Sequence, residues 1–141
     1  MELSNIVKKS KAIIVDIDGV VLHYPYWQNV EDFYQHLDKC VAVDWMVHLI
    51  NCIHIQGIKI IFLTARDQKC QIMTNIQLKQ LFDFKYELYM RIQGDLRQDY
   101  EIKQDYIPRL QKKYNILFAI DDNERNCEMF KQNKIPALHI K

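Results

Sequence analysis

Ala12-Ile13-Ile14-Val15-Asp16-Ile17-Asp18-Gly19-Val20-Val21 is the stretch that decides the fold. Four apolar residues, three of them β-branched, lead into two aspartates that flank one isoleucine and are followed by glycine. An apolar run without polar alternation reads as a strand buried on both faces, as in a parallel sheet. Asp18-Gly19 reads as the turn that ends it. Asp16 and Asp18 then have two readings. Either they solvate and cap a turn, or they stand at the carboxyl end of a central strand, where open α/β sheets bind ligands.

Outward from that strand, composition narrows the field. The 141 residues suit one domain, 1–141, with a sizeable core. The chain is 49% hydrophobic and 26% charged, with 3 Gly and 3 Pro, which describes an ordered globular chain rather than a low-complexity one. A net charge of +1 does not advertise nucleic-acid binding, although it leaves room for a local basic patch. Cys40, Cys52, Cys70 and Cys127 form no CxxC pair, so they read as reduced thiols rather than a zinc site or disulfide frame. Met1–Lys11 is polar and basic, and the apolar run behind it is too short for a membrane span. A cytoplasmic or otherwise reducing location is expected, with no signal peptide.

The remaining chain alternates strands with helices. Leu22-His23-Tyr24-Pro25-Tyr26-Trp27 reads as an aromatic flap over the strand end, whose rings either pack onto the body or stack on a base or sugar. A short helix is expected over 30–38 and a mostly buried one from Asp44 to about Gly57. Ile58–Leu63 is the second strand and ends in Thr64-Ala65-Arg66-Asp67. A helix over 68–82 would carry Ile72, Ile76, Leu78 and Leu81 at helical spacing. Tyr86–Met90 is a third strand, running into the polar loop Arg91–Asp99. A helix over 100–114 carries Lys103 in its first turn and should be kinked or split by Pro108. Asn115–Ile120 is a fourth strand ending in Asp121-Asp122-Asn123, with Asn123 capping a helix over 124–131. Ile135–Ile140 is a last strand, placed at an edge by Pro136. Right-handed crossovers then give an α/β fold, a mostly parallel sheet covered on both faces.

Three strands thus end in polar groups that a parallel sheet gathers on one edge: Asp16 and Asp18, Thr64, and Asp121 with Asp122. Four carboxylates so close do not all ionise unless a cation neutralises them. Hard oxygen ligands of this kind suit Mg²⁺. With a hydroxyl from Thr64 and a compact charge from Lys103, the set is built for phosphoryl transfer.

The pattern resembles the haloacid dehalogenase (HAD) superfamily of phosphatases. Its DxDG motif is matched by Asp16-Ile17-Asp18-Gly19, its strand-closing Ser or Thr by Thr64, its lysine by Lys103 and its acidic pair by Asp121-Asp122. The later half is similar to the phosphatase domain of phage-type polynucleotide kinase–phosphatases, through Met90-Arg91, Gly94–Asp99 leading to Lys103, and Leu117–Asp122. The resemblance implies a three-layer αβα Rossmann-like core and an aspartyl-phosphate mechanism. Asp16 is implied as nucleophile, Asp18 as general acid and base, Thr64 as phosphoryl ligand and Lys103 as charge balance. Mg²⁺ is implied at Asp16, at Asp121 or Asp122, and at the backbone carbonyl of Asp18. Arg66 is implied to bind the substrate phosphate, and Asp99 to hold a partner in place.

Departures accompany the match. Thr64-Ala65-Arg66 stands where that subfamily has Ser-Gly-Arg, Val20 stands where a threonine is usual, and no arginine occurs between Asp18 and Arg66. No GxxxxGK[ST] loop occurs, so the kinase half is not in this sequence. Neither 22–57 nor 67–100 holds a separate cap, and an open crevice suits a phosphate displayed on something large. The leading expectation is a phosphatase acting on nucleic-acid 3′ ends, with Arg97 adding positive charge near the crevice. The alternatives are a small-nucleotide or other HAD phosphatase, and a non-catalytic binding module of the same fold.

Overall fold

The decisive apolar run becomes β1 (Lys11–Val15), four of its five residues buried. The computed structural model describes residues 8–141, and the segment Met1–Val7 of the basic lead lies outside the described residues. Along the chain follow β2 (Leu22–His23), α1 (Val30–Gln35), β3 (Val41–Ala42), α2 (Asp44–Ile55), β4 (Lys59–Asp67) and α3 (Gln71–Leu81). The second half holds β5 (Glu87–Arg91), α4 (Asp99–Lys113), β6 (Asn115–Asp121), α5 (Glu124–Gln132) and β7 (Ala137–His139). Short 3₁₀ turns at Leu37–Lys39 and Gln68–Cys70 precede β3 and α3.

Five strands form one parallel sheet in the order β5-β4-β1-β6-β7, with β1 at its centre and β7 at an edge. The fold is the α/β class expected, because each strand's alternate residues feed a different layer. Ile13, Val15, Ile60 and Phe62 pack with Met46 and Ile50 of α2 and Leu78 of α3. Ala12, Ile14, Ile61 and Leu63 pack on the other side with Ile107 and Leu110 of α4 and Met129 and Phe130 of α5. No helix among the described residues is long and apolar enough to cross a membrane.

Five expectations need correction. β4 does not stop at Leu63 but runs through Thr64-Ala65-Arg66 to Asp67, with an irregular register against β5. Arg91 sustains the extension by donating to the Ala65 carbonyl at 3.0 Å. On α3, Ile72 and Ile76 face solvent, while Thr74, Gln77 and Leu78 are buried. The inner face of α3 meets the Arg66 guanidinium, which needs polar partners that isoleucine cannot offer. Pro108 does not split α4. It is exposed, so the missing amide donor falls on the solvent side, where water can serve the freed carbonyl. α4 also starts at Asp99, with Glu101 reaching back to the Gln98 amide at 3.0 Å, so Lys103 opens its second turn. Finally, the flap is not all loop: Leu22 and His23 pair antiparallel with Ala42 and Val41.

Candidate active site

Strand register brings the polar groups together. Val15 lies between Ile120 of β6 and Phe62 of β4, so the next residues, Asp16, Asp121 and the Leu63-Thr64 step, share one edge. The Asp16 amide extends the pairing by donating to the Ile120 carbonyl at 2.9 Å. Beyond Asp16 the chain turns sharply: the Ile17 carbonyl accepts from the amides of Val20, Val21 and Leu22. Gly19 sits in that turn at φ +83, and a Cβ there would overlap the Asp122 carboxylate. Glycine is required both for the left-handed backbone and for the space.

The floor of the resulting crevice is a buried ionic cluster. Lys103, fully buried, places Nζ 2.6 Å from Asp121 and 3.1 Å from Asp16. Asn126 donates to both oxygens of Asp121 at 3.2 Å, and the Asn123 amide adds another donor at 3.0 Å. Asp122 opens to solvent beside them. Burial alone would lower the pKa of Lys103, but Asp16 and Asp121 outweigh it and hold the ammonium above its ordinary range. Asp16 is pushed well above the usual carboxylate range by burial, against the pull of Lys103 and with the push of Asp121, Asp122 and Asp18. Asp122 is raised as well, first by loss of water and then by Asp121. One ammonium therefore does not balance three carboxylates.

A second cluster fixes Asp18. Arg66 grips it through Nε and Nη2 at 2.8 and 2.7 Å. The rest of that guanidinium is filled by Thr74 at 3.1 Å and Gln77 at 2.8 Å on α3. Arg66 is 2% exposed and lines the crevice, its Nε and Nη2 engaged by Asp18 where the sequence led us to expect a substrate phosphate. Thr64, also buried, accepts from the Arg66 amide at 3.1 Å, which leaves its hydroxyl proton free to donate into the crevice.

The crevice, about 520 Å³, is lined by Asp16, Asp18, Gly19, Thr64, Arg66, Asp99, Lys103 and Asp122, among others. Arg97 is not among the lining residues. Its guanidinium is tied to Asp95 at 2.8 Å and to Asp105 at 2.5 Å. Asp99 is at the rim and pairs with Arg91 at 2.7 Å, and Arg91 in turn holds the carbonyls of Asp95 and Arg97. Sequence reasoning missed Asn126, Thr74 and Gln77, polar helix residues whose partners come from other elements. Tyr24 and Trp27 of the flap line the crevice together with Phe33 of α1 and so form an aromatic wall.

Asp16, Asp121 and Asp122 each offer an oxygen, all within 4.8 Å of one another. Asn126 lines the same crevice, and its buried Oδ1 has no hydrogen-bond partner among the described residues. Excess negative charge, hard oxygens and an orphaned carbonyl fit a divalent cation.

The family described as "Polynucleotide kinase PNKP phosphatase domain" matches residues 10–141. No curated protein sequence matches the chain. Two solved chains, one from the Pnkp1/Rnl/Hen1 RNA repair complex and one from a Pnkp1/Rnl/Hen1 complex, are each 23% identical. They superpose with TM-scores of 0.81 and 0.83 over 99% and 96% of this chain. This chain spans 44% and 47% of their lengths, less than half of either. The class C acid phosphatase from Bacillus anthracis, with tungstate bound, superposes at a TM-score of 0.59 with 15% identity, over 94% of this chain and 65% of that one.

Proposed function

We propose, from the premise that this chain belongs to the family of polynucleotide kinase PNKP phosphatase domains, that it removes 3′-phosphates from nucleic-acid ends with the help of Mg²⁺. As a phosphatase of the HAD type, residues 1–141 would act as one domain. The observation that carries the reading is Asp16: a buried carboxylate on the crevice floor, 3.1 Å from a buried ammonium and next to an acidic pair.

In the first step an Asp16 oxygen attacks phosphorus, the bond to the 3′ oxygen breaks, and Asp18 gives that oxygen its proton. In the second, water attacks the aspartyl-phosphate, Asp18 takes the proton, and Asp16 and inorganic phosphate are released. The Arg66 fork holds Asp18 in place for both transfers. Thr64 donates to a phosphoryl oxygen, and Lys103 balances charge on Asp16 and the phosphoryl group. Mg²⁺ would be held by Asp16, Asp122 and the Asp18 carbonyl, and would neutralise phosphoryl charge. Asp121 is saturated by Lys103, Asn126 and Asn123, so it stands behind Asp122 and orients the cluster. A 3′ end on a polynucleotide suits an open crevice, and one solved chain of the same fold comes from the Pnkp1/Rnl/Hen1 RNA repair complex.

Asp16→Asn keeps size and hydrogen bonding but loses the attacking charge, so turnover should vanish while the fold survives. Wild-type protein quenched during turnover should carry an acid-stable, alkali-labile phosphate on Asp16. An active Asp16→Asn protein rules out the covalent route. A panel of 3′-phosphorylated oligonucleotide, 5′-phosphorylated oligonucleotide and mononucleotide, with and without Mg²⁺, tests the substrate class. Preference for the mononucleotide would move the reading to a small-nucleotide phosphatase.

A further inference from the structure

We infer that Trp27 forms the wall of a nucleobase subsite at the mouth of the crevice, on which the 3′-terminal base of the substrate stacks. The inference rests on the proposed reading of the same site and names how a nucleic-acid end is distinguished from any other phosphate.

Among the described residues only two that line the crevice carry a fixed positive charge, Arg66 and Lys103, and both are buried, Lys103 against Asp16 and Asp121 and Arg66 against Asp18, Thr74 and Gln77. Arg97 lies outside the crevice, bound to Asp95 and Asp105. Beyond the phosphoryl group itself, the crevice has no free ammonium or guanidinium among the described residues with which to grip a polyanion. Recognition of the nucleoside then falls to the aromatic wall of the crevice.

Phe33 is buried, its ring 5.5 Å from the Arg66 guanidinium, so it stands behind the residue that aims Asp18. Trp27 packs on Phe33 at 5.5 Å and 45°, while Tyr24 packs on it at 5.6 Å and is pinned by its hydroxyl to Asp32 at 2.9 Å. The flap is anchored at its base by the pairing of β2 with β3. Trp27 nevertheless remains 57% exposed. A backed indole that borders a catalytic crevice is a stacking platform, and every base offers it a π-face. Trp45, equally exposed at 57%, does not line the crevice and provides an internal control.

The test compares kcat/KM for a 3′-phosphorylated oligonucleotide with that for glycerol 2-phosphate, which has no ring to stack. Trp27→Ala should narrow that ratio about tenfold to a hundredfold, and Trp27→Phe should restore much of it. Because stacking releases no counterions, the narrowing should be the same at low and high salt. An oligonucleotide whose 3′-terminal sugar is abasic should show no difference between wild type and Trp27→Ala, and Trp45→Ala should change none of these values. An independent readout uses Asp16→Asn with Trp45→Phe, which leaves Trp27 as the sole indole: its fluorescence should be quenched by the intact oligonucleotide and not by the abasic one. An unchanged ratio in Trp27→Ala, or equal quenching by both ligands, overturns the subsite. If wild type shows no preference for the oligonucleotide at all, the substrate class fails instead.

Discussion

Gly19 and Asp122 occupy space that cannot hold one atom more, since a Cβ on Gly19 would fall on the Asp122 carboxylate. Gly19→Ala must therefore displace Asp122 from Asp16 or distort the turn. By analogy with changes to groups that orient metal ligands, the Mg²⁺ affinity should fall about 10- to 100-fold, measured by calorimetric titration. Lys103 carries a different burden, because among the described residues it is the one cation beside Asp16, Asp121 and Asp122. Lys103→Ala should lower kcat roughly 10²- to 10³-fold with little change in KM, as loss of a charge aimed at the transition state does. It should also destabilise the fold by about 3–5 kcal/mol, because two buried carboxylates lose their counterion. A change confined to KM would make Lys103 a binding residue.

At the scale of elements, α3 gives the sharpest contrast between pattern and place. Ile72 is 80% exposed, whereas Leu78 is fully buried against Phe62 and Phe82. Leu78→Ala should cost about 2–5 kcal/mol and Ile72→Ser no more than about 0.5 kcal/mol, measured by urea denaturation. Comparable losses at both positions would mean that α3 is rotated. The five strands were legible because runs such as Ile13–Val15 and Ile60–Leu63 are apolar on both faces, and only a sheet covered on both sides asks for that. The acidic ends were legible for the same reason, since register in a parallel sheet gathers strand ends. The inner face of α3 was not legible: its Thr74 and Gln77 answer to Arg66, a charge on another element that no helical periodicity records. Arg97 misled for a related reason, because a sequence shows its charge but not the two carboxylates that claim it.

Across the whole molecule, charge is sorted along the strands although the net charge is only +1. Lys8, Lys9, Lys11 and Lys134 gather near the amino end of β1, and the excess carboxylates sit at its carboxyl end. That acidic end makes the metal-free protein sensitive to pH. Burial and neighbouring carboxylates raise Asp16, and loss of water raises Asp122, so both bind protons more tightly when folded than when unfolded, where a carboxyl titrates near about 3.9. Their stabilising share is complete below that unfolded value and is lost as pH rises through the raised folded value. In the presence of a chelator, Tm should fall by several degrees, about 3–5 °C, between about pH 5 and about pH 7.5. Asp16→Asn removes the group that titrates most strongly and should flatten the profile while raising Tm at the higher pH. Mg²⁺ binds only the ionised cluster, so it should raise Tm more at about pH 7.5 than at about pH 5. Scanning calorimetry of both proteins at the two pH values, with and without Mg²⁺, decides the matter. A profile that rises with pH in the wild-type protein without metal would show that Lys103 already balances the cluster, and that the acidic edge has no excess charge for a cation to answer.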